Sequence, residues 1–310
     1  MTLRIVEGWT RLAEADRGAS VALGAFDGLH RGHEHVVAAA KAASGPGTPL
    51  GLVSFEPHPF RWFHPGAEPF LLMSHAQQGR ALERLGGEVL YILPFDAAMT
   101  AMTDEVFSRD VLAAGLGVKH VAAGFDFRFG HDRMGDAESL RRHGERYGFG
   151  VTIVEKVDDA EGHKLSSSAI RAALQAGDPK TAAAVLGHPF AIEGVVVEGR
   201  RMGRPLGFPT ANVPLGGYIR PRLGIYAALT RLADGREVPG VAYIGPGAAV
   251  EAAEPRLEVW LFDFDEDLYG QQIEVALVDF IRPDQDFDSL EELKAQVAED
   301  ARRARKLLGG

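Results

Sequence analysis

The chain changes texture near residue 187, and that change constrains its fold more than any other feature. Before it, short apolar runs alternate with helical stretches. SVALGAF (20–26), LGLVSF (50–55), EVLYILPF (88–95), KHVAAGFDF (119–127) and GVTIVEKV (150–157) have the composition of buried strands. Segments 33–44, 76–85, 104–115 and 136–147 have helical character. Such alternation predicts an α/β domain with a parallel sheet covered on both faces. After the break, FAIEGVVVEG, GIYAALTRL, VPGVAYIG, RLEVWLFDF and QIEVALVDFI follow one another with Gly and Pro between them and no helices. That pattern predicts an antiparallel barrel or sandwich. Two short helices are expected over 167–186, the first capped by Ser167 or Ser168 and the second opened by Asp178 and Pro179. The last segment predicts a helix with Leu290, Leu293, Val297, Ala301, Ala304 and Leu308 on one stripe, and with Ser289 and Glu292 as a capping box. A length of 310 residues agrees with about two domains.

Composition narrows the function. There is no cysteine, so no disulfide framework and no thiolate metal site. The N-terminus lacks the apolar core of a signal peptide, and no run approaches the length of a membrane span. A net charge of −10 disfavours a general nucleic-acid binder. The expectation is a cytoplasmic protein whose partners are small molecules, with no nucleic acid and no membrane. Composition does not decide between a monomer and a homo-oligomer.

The decapeptide GAFDGLHRGH (24–33) sits where a strand should end and a helix begin. Glycines there let backbone N–H groups approach an anion, and a helix N-terminus adds partial positive charge. His30 and His33 stand three apart, on either side of Gly32, and can converge on one point. Imidazoles so placed can stabilise charge on a phosphate under attack. A metal pair, two unrelated surface histidines and a structural turn compete with this reading. The G-x-G-x-x-G spacing of a dinucleotide fingerprint is absent. SSSAIR (166–171) offers hydroxyls, a helix start and Arg171, which suits a leaving pyrophosphate or simply a capped helix. A second loop, GRRMGRPLGFPTANV (199–213), holds three glycines in a basic context. Thr210 and Asn212, two apart on a strand, present oxygens on one face and suit Mg²⁺ that keeps water and phosphate ligands. A basic surface hairpin is the competing reading.

Taken together, G-x-F-D-G-x-H-x-G-H followed by S-S-S-x-I-R resembles the nucleotidyltransferase module of the prokaryotic bifunctional riboflavin kinase/FAD synthetase family. SFEPHP (54–59) and GFDFRFG (124–130) match further signatures in order, and the 199–213 loop is similar to the riboflavin kinase signature. The resemblance implies a Rossmann-like FMN adenylyltransferase domain over 1–186 and a riboflavin kinase antiparallel β-barrel with a terminal helix over 187–310. It implies ATP as co-substrate, riboflavin, FMN and FAD as substrates and products, and Mg²⁺. It carries Gly24, Phe26, His30, Gly32 and His33 over as the adenylyltransferase ATP site, and Ser167, Ser168 and Arg171 as triphosphate contacts. It sets Asp126, Phe127 and Arg128 near nucleotide or flavin. Core packing competes for Phe26, Phe55, Phe127 and Phe129. In the second half it assigns Gly199, Gly203, Arg204, Gly207, Pro209, Thr210 and Asn212 to the nucleotide, the last two also to the metal, and Glu258 as the base for the riboflavin 5′-hydroxyl. Tyr243 stands where the family usually has Asn, Ala248, Ala249 and Val250 where it has Pro-Thr-Phe, and Trp260 where it has His. Those departures keep two other readings open: an adenylyltransferase whose second domain is inactive or altered, and a non-catalytic flavin or nucleotide sensor.

Overall fold

The computed structural model describes residues 3–155, 165–199, 207–245 and 255–309. Contacts divide the chain into two units, Met1–Ala67 with His75–Leu165, and Glu68–Ser74 with Ser166–Gly310.

The first unit is built on a six-stranded, all-parallel sheet. Its strands are β1 (Arg4–Glu7), β2 (Ser20–Leu23), β3 (Leu50–Glu56), β4 (Val89–Pro94), β5 (His120–Gly124) and β6 (Gly150–Val154), in the order β1-β4-β3-β2-β5-β6. The central strands read as continuous apolar runs because both faces are covered: all of β2 is buried, and all of β3 except Glu56. Gly51 is small for a reason, since a Cβ there would sit 3.0 Å from Val89 and 3.1 Å from Val21. Helix α1 (Arg31–Ala42) buries Val36, Val37 and Ala40. The short α2 (Pro59–Phe63) and α3 (His75–Arg84) follow β3, and α4 (Ala97–Thr100) follows β4. The next helix, α5 (Asp104–Val106), continues as a π-helix over Phe107–Leu116, where the sequence pattern predicts an ordinary α-helix. A capping box between Asp136 and Ser139 starts α6 (Ala137–Tyr147), and Gly148 at φ 84° stops it.

This strand order positions a site. The chain runs outward from β2 through β3 to β4, then returns to place β5 on the other side of β2. The switch point lies between the carboxyl ends of β2 and β5, where open α/β sheets bind ligands. The loops leaving those ends are 24–30 and 125–130.

The second unit opens with α7 (Ser167–Ala176) and α8 (Pro179–Leu186). The cap of α7 is Ser166, whose hydroxyl accepts from Ala169 N at 3.3 Å, and not Ser167 or Ser168, which already lie inside the helix. Asp178 caps α8 with Pro179 at its first position. Six antiparallel strands follow: β7 (Phe190–Val195), β8 (Ala211–Pro214), β9 (Gly224–Arg231), β10 (Glu237–Gly245), β11 (Arg256–Leu261) and β12 (Gln272–Arg282), ordered β7-β12-β9-β10-β11-β8. A bridge between Val197 and Asn212 joins the two edges, so the sheet is nearly closed into a barrel. Irregularities at Leu277/Asp279 and Phe280/Arg282 bend the long β12.

The terminal helix α9 (Leu290–Leu307) packs against β9 and β10. Ala301 and Ala304 are buried there with Ile225, Ala227 and Val241. Two details depart from the expected stripe. Leu290 is 48% exposed, whereas Asp300 is 1% exposed because it answers Arg282 through contacts of 2.7–3.0 Å. Ser289 caps the helix as expected, but Glu292 returns its bond to Asp288 N rather than to Ser289 N.

Candidate functional site

In the first unit, the loop from Gly24 to His30 turns sharply before α1. Phe26 and Leu29 both take left-handed backbone, at φ 46° and 40°, and Gly28 lies between them at 89°. Non-glycine residues hold such conformations only where the surroundings enforce them. Here the Phe26 ring is buried against Gly24, where a Cβ would come 3.2 Å from it. Gln78, buried on α3, donates to Phe26 O at 3.3 Å. His30 is the N-cap of α1, and its Nδ1 accepts from His33 N at 3.3 Å. That bond leaves the His30 proton on Nε2 when the ring is neutral. The His30 and His33 rings stack at 3.6 Å with 17° between planes, and Phe26 meets His33 edge-on at 5.1 Å. Gly32 fits under this stack, because a Cβ there would approach the His30 ring to 3.1 Å. The structure therefore brings Gly24, Phe26, His30, Gly32 and His33 into one corner. Burial lowers the His33 pKa well below its ordinary value, and the neighbouring His30 lowers it further. The His33 Nδ1 is buried and has no hydrogen-bond partner among the described residues.

Next to this corner is a cleft of about 900 Å³. Ala25, one residue past Gly24, lines it, together with Phe55, Phe60, Phe63, Phe95, Phe127 and Phe129. Its volume lies within the range of small-molecule sites, and its aromatic walls suit a flat ring system. Asp126, Phe127 and Arg128 line the same cleft. Phe127 stacks on Phe129 at 5.4 Å, and Arg128 contacts Asp136 at 3.3 Å. The Asp136 carboxyl is held below its usual range by the Ser139 N–H first and by Arg128 after it. Phe55 and Phe129 are buried, as core packing demands, and also face the cleft. Sequence reasoning does not single out the α2 aromatics Phe60 and Phe63. Their signal is the FRWF that continues the SFEPHP motif.

In the second unit, Ser167 and Ser168 occupy the first turn of α7, and Arg171 Nε donates to Phe70 O at 2.9 Å. Gly203, Arg204, Ala248, Ala249 and Val250 lie outside the described residues. Thr210 immediately precedes β8 rather than lying on it, yet its hydroxyl donates to Glu258 Oε2 at 3.3 Å. Strand pairing sets Asn212, Glu258, Tyr243, Ile225 and Arg282 in one transverse row across five strands. Directly opposed residues share a face, so Asn212 and Tyr243 flank Glu258. The Tyr243 hydroxyl donates to Asp284 at 2.7 Å, and burial followed by that bond raises its pKa. Gly199 is required by close approach, as a Cβ there would lie 2.4 Å from the Asn212 side chain. Trp260 packs edge-on to Phe208 at 4.8 Å and to Phe262 at 5.3 Å. Pro209 and Thr210 also line a smaller pocket of about 280 Å³, with Asp265, Glu266 and Asp267 in its wall. Gly207 takes φ 88°. Thr210 and Asn212 supply neutral oxygens beside one carboxylate, a donor set that fits Mg²⁺.

Each unit matches a family model of a transferase: an FAD synthetase model covers residues 12–169 and a riboflavin kinase model covers residues 186–308. At full length the chain belongs to the bifunctional riboflavin kinase/FMN adenylyltransferase family. It is 38% identical over 309 residues to the bifunctional riboflavin kinase/FMN adenylyltransferase of Escherichia coli (strain K12), covering 99% of this chain and 98% of that one. It is 35% identical to that of Bacillus subtilis (strain 168), covering 98% and 96%. A crystal structure described as a macrolide-efflux protein from Streptococcus pneumoniae superposes with a TM-score of 0.83 at 31% identity, covering 98% of this chain and 99% of that one. Among the described residues no helix is long and apolar enough to cross a membrane. Both family models match, which supports two transferase domains over a single active one.

Proposed function

We propose that this chain converts riboflavin to FMN and FMN to FAD, consuming ATP in both steps. The observation that carries the reading is that Ala25, between Gly24 and Phe26 of the glycine–imidazole corner, lines the aromatic cleft. One side suits a nucleotide phosphate and the other a flavin ring. We assign adenylyl transfer to residues 1–186. There an FMN phosphate oxygen attacks the α-phosphorus of ATP, and the bond to pyrophosphate breaks. His30 and His33 stabilise the charge that develops on the phosphate oxygens, helped by the α1 N-terminus. Asp126, Phe127 and Arg128 contact the flavin.

We assign riboflavin phosphorylation to residues 187–310. The riboflavin 5′-hydroxyl attacks the γ-phosphorus while its proton passes to Glu258, with ADP leaving. Thr210 orients the Glu258 carboxylate through its hydrogen bond. Gly199, Gly203, Arg204, Gly207 and Pro209 shape the nucleotide loop. Thr210 and Asn212 would hold Mg²⁺, which neutralises phosphate charge when bound. Use of ATP as co-substrate supports a cytoplasmic location. Incubation with riboflavin and Mg·ATP, followed by chromatography, is expected to give FMN and then FAD. Formation of neither product ends the reading.

A further inference from the structure

We propose that Arg133 is the residue by which the aromatic cleft recognises a phosphorylated flavin and disfavours an unphosphorylated one. The inference rests on the reading of that cleft as the flavin site and adds to it the choice between flavins.

The cleft has an apolar interior and a charged rim. Arg128, His131, Asp132 and Arg133 line it, as do Asp126, His58 and His64. Most of these groups are already engaged. Arg128 meets Asp136 at 3.3 Å. His131 Nδ1 donates to Thr100 O at 3.1 Å, and its Nε2 lies 3.4 Å from Asp132. His64 Nδ1 donates to Phe60 O, and its ring stacks on Phe60 at 4.5 Å. His58 Nδ1 accepts from Phe60 N at 3.1 Å. The Arg133 side chain has neither a hydrogen bond nor an ion pair among the described residues.

The backbone is shaped to present it. Asp132 and Arg133 both take left-handed conformations, at φ 51° and 58°. Two such residues in succession persist only when the surrounding structure holds them, and they concentrate at ligand sites. The neck of this loop is closed by Phe129 N to Gly135 O at 3.2 Å and Gly135 N to Phe129 O at 2.9 Å. His131 N adds a bond to Met102 O at 2.7 Å. Gly130 and Gly135 seat the neck on the start of α5, where a Cβ on either would come to 2.5 Å from Asp104. The tip is therefore fixed, and the cation it carries lines a cleft suited to a ring. A guanidinium fork matches a phosphate group and has nothing comparable to bind on an uncharged side chain.

The test uses the full chain with FMN and Mg·ATP, following FAD. Lumiflavin, an isoalloxazine with neither ribityl chain nor phosphate, serves as inhibitor. Arg133→Gln is expected to raise KM for FMN about tenfold or more, with the lumiflavin Ki within about twofold of the starting protein. Arg133→Lys should recover part of the loss, because it restores charge without the fork. An unchanged KM, or a KM and Ki that rise together, overturns the inference. Phe63→Ser separates the two layers of the argument. If it raises both KM and Ki, the ring occupies the cleft, and only the Arg133 result decides. If it moves neither, the cleft is not the flavin site, and both readings fail.

Discussion

His33 is the residue at which structure and chemistry meet most directly. Burial and the stacked His30 ring both work against its proton, so its folded pKa lies below the ordinary 6.5. As pH falls, the unfolded chain therefore takes up this proton before the folded one does. The sign is fixed: the stability that depends on a neutral His33 is complete above about pH 6.5 and is lost as pH falls toward the lowered native value. A polyphosphate against the same ring reverses the balance, because a nearby anion favours the imidazolium. Binding of a non-hydrolysable ATP analogue near pH 6.5 is thus expected to take up a fraction of a proton. Calorimetry in two buffers of different ionisation enthalpy measures it. His33→Gln should remove that uptake, and uptake that survives the substitution would place the proton elsewhere.

Among the elements, the contact of β12 with α9 is the one most exposed to a single change. Asp300 accepts from Arg282 and from Gln296 in a nearly water-free setting. Asp300→Ala leaves the Arg282 cation without its partner, and the expected loss is about 3–5 kcal/mol. Hydrogen exchange of the β9 and β12 amides reads this sheet by itself. A second variant, Arg282→Met with Asp300→Leu, should recover most of the loss, because burying an ion pair is costly in itself. Asp300 also shows where sequence stops short. Periodicity places Ala301 and Ala304 on the buried stripe, but a carboxylate on that face looks polar until Arg282 arrives from β12. The long central strands are legible because burial on both faces writes an apolar run. Strand β1 is not, being four residues with a single buried side chain. The corner of Gly24, His30 and His33 is legible because its residues are local. The transverse row through Glu258 and Tyr243 depends on register across five strands, which no local pattern encodes. The Phe60 and Phe63 wall sits on a five-residue helix too short to show a period.

At the scale of the whole molecule, two phosphate chemistries share one chain, and the product of one is the substrate of the other. Each unit has its own sheet and its own buried core, so the proposed activities should be separable by substitution. Glu258→Gln removes the proposed base and is expected to lower FMN formation by about 10²–10⁴-fold, leaving FAD synthesis from supplied FMN. His33→Ala removes charge stabilisation at the other site and is expected to lower FAD formation by about 10²–10³-fold, with FMN accumulating from riboflavin. Neither variant alone should turn riboflavin into FAD at an appreciable rate. Mixed together they should, because FMN made by the second variant carries the phosphate that the first needs as nucleophile. FAD should then appear after a lag while free FMN builds toward the KM of the intact adenylyl site, and the lag should shorten as the His33→Ala protein is raised. If the Glu258→Gln protein makes FAD from supplied FMN and the mixture still yields none from riboflavin, the His33→Ala protein retains the FMN it forms, and release of that product limits the sequence.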